Sequence, residues 1–118
     1  MTHEAGHDMK ARMRTDLRAA MKDRRGNDAR VIRALIAAID NAEAPPLQAD
    51  LKATDQHRFS DGSAEVERLS LSGAQVHSVL VREMQERELA ATEMDRLDRP
   101  DRAETLRGEA RLVGRYIE

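Results

Sequence analysis

The run His3-Glu4-Ala5-Gly6-His7 has residue types and a spacing that could do chemistry. H-E-x-x-H sets two histidines one helical turn apart, with a glutamate placed to work on a metal-bound water. The chemistry also demands a third ligand and a rigid, enclosed scaffold. Here the run contains a glycine and precedes the first apolar stripe, so nothing in the sequence builds a cleft around it. His3 and His7 are expected to bind metal adventitiously at most. No catalytic residue, metal centre or cofactor is expected.

A second chemistry is electrostatic. Arg14, Arg18, Lys22 and Arg25 follow at steps of four, four and three, which puts four cations on one face of a helix. That face is read as opposing the Met/Leu stripe. From Lys10 to Arg33 there are nine basic residues and three acidic ones. Arg107, Arg111 and Arg115 repeat the device near the end of the chain. Such rows suit phosphate backbones, whose affinity comes from counterion release. No aromatic residue interleaves them, so neither base stacking nor sequence-specific readout is expected. The plain alternative is a solvated helix face.

Glu83 and Arg87 stand in the favoured order for an ion pair one turn apart, and both fall within an apolar stripe. They are expected to pair, partly buried, as a structural device. Asn41 and Glu43 are expected to cap and solvate a helix end. Leu112 and Tyr116, four apart and off the main stripe of their helix, are read as a contact for a partner or a second copy of the chain.

These residues must be positioned by helices. Met9, Met13, Leu17, Ala20 and Met21 form one stripe on a helix expected to start near Asp8 and end at Gly26. Val31, Ile32, Leu35, Ile36 and Ile39 form the next, stopped by Pro45-Pro46. Ser72-Gly-Ala-Gln75 is a capping-box pattern opening a third helix to about Leu97. Val76, Val79, Leu80, Met84, Ala90, Ala91, Met94 and Leu97 line its face, and Leu89 points away. Pro100 starts a fourth helix, with Ala103, Leu106, Ala110, Val113 and Ile117 in its stripe. The expected fold is all-α: a single-domain four-helix bundle, within a range of three to five helices. Residues 1–8 are expected to be a flexible lead, and 44–71 a long irregular connection across the outside.

Composition narrows the function classes. Charged residues make up 36% of the 118, and the formal net charge is −2. Global charge therefore gives no preference for nucleic acid, and any preference must be local. The absence of cysteine excludes disulfides, thiol catalysis and thiolate metal sites. No apolar run is long enough to span a bilayer and no secretory apolar core is present, so a cytoplasmic protein without membrane association is expected.

The order Asp16-Leu17-x-x-Ala20-Met21-Lys22, then Arg33-Ala-Leu35-x-Ala37-Ala38-Ile39-x-Asn41-x-Glu43, resembles the YqeY-like family (GatB/YqeY). Arg82-Glu83-Met84-x-Glu86-Arg87, Arg99-x-Asp101-x-Ala103-Glu104 and Val113-x-x-Tyr116-Ile117 agree with it. The resemblance covers residues 9–118. That family is related to the tail of the B subunit of glutamyl/aspartyl-tRNA amidotransferase. Full-length relatives continue into a second small helical bundle beyond the position where this sequence stops. The resemblance implies an accessory module near tRNA-dependent amidation, with tRNA or another structured RNA as partner. Any carbon-nitrogen ligase activity with glutamine as amido-N donor would be inherited from that complex.

Overall fold

A computed structural model describes residues 4–45 and 68–117. Among the described residues there are four helices and no strand: α1 (Ala5–Lys22), α2 (Gly26–Glu43), α3 (Gly73–Arg96) and α4 (Pro100–Gly114). None of these helices is long and apolar enough to cross a membrane. The all-α expectation holds, as does the four-helix reading for these segments.

Two helical hairpins make the fold. The α1–α2 connection is three residues long, and so is the α3–α4 connection. Both use the same closure. Arg24 adopts φ 59° and Asp98 adopts φ 62°. At the first, Arg25 N–H donates to the Ala20 carbonyl at 2.8 Å and Arg24 N–H to Met21 at 3.2 Å. At the second, Arg99 N–H donates to Met94 at 2.8 Å and Asp98 N–H to Asp95 at 3.0 Å. These paired bonds, from the two residues after the cap back into the last turn, are a Schellman closure. Gly26 therefore does not end α1, as its residue type suggests; it is the first residue of α2. The chain reverses two positions earlier, on an arginine.

α1 also begins earlier than the apolar stripe predicts, at Ala5. Part of the expected 1–8 lead is thus helix. The reason is tertiary: Ala5 and Met9 pack on the core, and Gly6 and Lys10 are buried against the end of α2. A Cβ at Gly6 would come within 2.6 Å of Glu43 Oε2, so glycine there leaves room for the carboxylate that Lys10 holds. That packing role accounts for the glycine inside the histidine motif. α3 opens as predicted. The Ser72 side chain accepts from Gln75 N–H, and the Gln75 side chain accepts from Ser72 N–H.

The main core joins Met13 and Ala20 of α1 to Val31, Ile32, Leu35 and Ile39 of α2. Val76 and Leu80 of α3, Val113 of α4, and Leu71 just before α3 complete it. A smaller cluster, Ala91, Ala103 and Leu106 with Ala90 and Met94 against it, lies between α3 and α4 alone. The α3–α4 hairpin thus carries its own thin core beyond the bundle, in a molecule 52 × 33 × 28 Å across. Of the expected 44–71 connection, residues 46–67 lie outside the described residues. Its end is anchored: Leu69 N–H donates to the Glu43 carbonyl at 2.7 Å, and Leu71 is buried.

Candidate functional site

The first cationic row divides at its last member. Arg14, Arg18 and Lys22 lie on α1 and are exposed. Arg25 stands beyond the end of α1, at the N-cap of α2, where Asp28 holds it at 2.8 Å and Asp23 at 3.4 Å. Those hydrogen bonds raise its pKa, the Asp28 bond most. The second row is mostly committed to carboxylates. Arg107 pairs with Asp95 at 2.5 Å, which raises its pKa, and Arg111 pairs with Glu104 at 3.4 Å. Arg115 follows the last residue of α4.

Arg14, Arg18 and Lys22 make no ion pair among the described residues, and the Arg18 guanidinium donates only to Thr15 Oγ1, at 3.3 Å. The row does not oppose the apolar stripe; it borders it. Arg14 and Arg18 line one open groove with Leu17 and Met21 of α1, and α2 contributes Arg33 and Ile36 to the other wall. Met21, expected in the core, is 53% exposed on this floor. Arg33 leans across it, 3.5 Å from the Met21 sulfur. Three guanidinium groups from two helices thus converge on one half-apolar channel with no carboxylate in its lining. Along the sequence the spacing of Arg33 belongs to no row. Only the α1–α2 packing brings it beside Arg18.

Leu112 and Tyr116 are not a surface contact. They are 7% and 5% exposed and belong to the main core. α4 has two buried faces, because its first half meets α3 alone and its end is enclosed by α1 and α2 as well. The Tyr116 hydroxyl donates to Asp16 at 2.5 Å, and the Arg12 guanidinium lies 4.7 Å from the ring centroid. Burial, and next the bond to Asp16, push the Tyr116 hydroxyl pKa well up.

Glu83 and Arg87 pair at 3.0 Å, both partly buried, as predicted. The pair extends further than its spacing showed. Arg87 Nε lies 3.5 Å from Oε1 of Glu109, which is buried, and Arg30 reaches the other Glu109 oxygen at 3.3 Å. The chain of charges ties α2, α3 and α4 together. A second buried network replaces the solvated helix end expected of Glu43. Lys10, 8% exposed, donates to Glu43 at 2.6 Å and to Asp40 at 2.7 Å. Burial disfavours its charge, but those hydrogen bonds outweigh burial and leave the Lys10 pKa raised.

Of the histidine motif, His3 lies outside the described residues and His7 is exposed. No group of three metal-ligating side chains converges among the described residues. No family model, curated protein or solved structure matches the chain.

Proposed function

We propose that this protein is a small non-catalytic accessory module of the YqeY-like kind that binds tRNA or another structured RNA through backbone phosphates. The observation that carries the reading is the channel between α1 and α2. Arg14, Arg18 and Arg33 border it, Lys22 extends the row, and none of the four has a carboxylate partner among the described residues. Guanidinium groups with free N–H donors are well matched to phosphate oxygens. Arg107 and Arg111, by contrast, spend their charge on Asp95 and Glu104, so α4 contributes little. The RNA-facing set is therefore Arg14, Arg18, Lys22 and Arg33.

Fluorescence anisotropy with a labelled tRNA, repeated over a salt series, tests this. Four phosphate contacts give a log–log salt slope of about −3, which is roughly a 60-fold loss of affinity between 50 and 200 mM salt. Reversing Arg18 and Lys22 to glutamate removes about two contacts and flattens the slope by about 1.5. RNA affinity indifferent to both salt and charge reversal rules the reading out.

A further inference from the structure

The geometry points to a second anion site, on the far side of α1 from the channel, that holds a single phosphate group. Arg12 and Arg14 are about 200° apart around the helix, so the two sites face opposite ways. The pocket is about 190 Å³ and lies where α1, α2 and the end of α4 meet. Arg12 and Asp16 come from α1, Arg25 from the α1–α2 connection, and Arg115 and Tyr116 from the end of α4. Ile32 and Leu112 form an apolar wall. The space is large enough to admit a phosphate.

Two of the three cations are set in place before any ligand arrives. Arg12 is held by the Tyr116 ring beneath it and by its own N–H bond to the Arg115 carbonyl at 3.2 Å. Its remaining donors are left for a ligand. Arg25 is fixed by Asp28 and Asp23, which also balance much of its charge. Arg115 has no side-chain partner among the described residues. The one carboxylate in the lining, Asp16, already accepts from Tyr116. Little side-chain freedom remains to be lost at Arg12 and Arg25 on binding, which favours affinity. Arg12 and Arg115 outnumber Asp16, and guanidinium forks can each take two oxygens of one phosphate. This inference does not rest on the RNA reading, because none of its residues borders the channel.

The test is calorimetric titration and thermal shift of the full chain with inorganic phosphate, against sodium chloride of equal ionic strength. Phosphate is expected to raise Tm saturably where chloride does not. Arg115→Ala, which removes no side-chain bond, should weaken phosphate binding about five-fold or more. Asp16→Asn keeps an acceptor for Tyr116 and removes the opposing charge, so it should tighten binding about three-fold or more. Arg102→Glu, at an exposed position of α4 outside both sites, should leave it unchanged. A 5′-phosphorylated dinucleotide that displaces phosphate more strongly than its 5′-hydroxyl form assigns the pocket to a nucleotide terminus. Equal, weak displacement by both assigns it to a small free phosphate compound. A Tm rise matched by chloride overturns the inference, as does a phosphate affinity that neither Arg115→Ala nor Asp16→Asn moves.

Discussion

Lys10 shows what a single buried charge does here. Its ammonium is held between Glu43 and Asp40, while Arg68 approaches Glu43 at 3.7 Å. Removing one partner from such a pair leaves the other charge buried and unmatched. Lys10→Met should cost about 2–3 kcal/mol, below the ~3–5 kcal/mol of a fully buried pair because Asp40 stays open to water. Adding Glu43→Leu should recover more than half of that loss. A double variant no more stable than Lys10→Met in urea titrations would show that the pair is not the origin of the cost. Tyr116 supplies a pH signature. Its folded pKa is raised above the ordinary value of about 10, so the fold favours the neutral phenol. That contribution is complete below about pH 10 and is lost as pH climbs through the folded value. Lys10, also raised, acts with the same sign in the same alkaline range. Stability should therefore fall above about pH 10. Tyr116→Phe should fall less steeply, since only Lys10 remains of the two. Identical pH slopes for both proteins would remove Tyr116 from this account.

At the scale of the element, the helix ends carry the lesson. α1 closes on Arg24 in the left-handed region, which costs a residue with a Cβ about 1–2 kcal/mol. The available glycine, Gly26, sits two positions away as the first residue of α2, and a Cβ there would meet nothing within 4 Å. Moving the glycine to where the backbone needs it should stabilise the protein at both sites. Arg24→Gly is expected to gain about 0.5–1 kcal/mol. Gly26→Ala is expected to gain about 0.5 kcal/mol by favouring the helix and restricting the unfolded chain. Denaturant midpoints check both. A loss from Gly26→Ala would mean that the α2 start needs glycine after all. The early start of α1 follows the opposite logic. Gly6 disfavours a helix, and the turn forms because Ala5 and Met9 pack on the core and Lys10 is held at the end of α2.

For the molecule as a whole, the uneven core matters most. The larger cluster draws on all four helices, whereas Ala91, Ala103 and Leu106 are shared by α3 and α4 alone. α3 is 24 residues long, about 36 Å at ~1.5 Å per residue, and its second half has only α4 for support. Stability should grade along the hairpin, with the α3–α4 turn opening more readily than α2. Leu106→Ala should lose about 2–3 kcal/mol, at the low end of core truncations because Leu106 keeps 8% exposure. Its hydrogen-exchange protection should drop in 90–106 while residues 29–39 stay slow. Uniform loss through both segments would show one cooperative unit instead.

Much of this was legible in the residues. The apolar stripes marked the second, third and fourth helices, and Ser72 and Pro100 marked where the last two begin. The i, i+4 order of Glu83 and Arg87 identified a real pair, because that contact is local to one helix. What the residues alone could not show was whatever depends on a neighbouring helix. Arg33 joins Arg18 only through α1–α2 packing. Glu43 and Glu109 become buried only because Lys10, Arg87 and Arg30 come to meet them. Leu112 and Tyr116, read as surface from their place off the main stripe, are core because three helices enclose the end of α4. Spacing along a chain determines which side chains share a face. Which face meets water, and which cation is left without an anion, is decided by what packs against it.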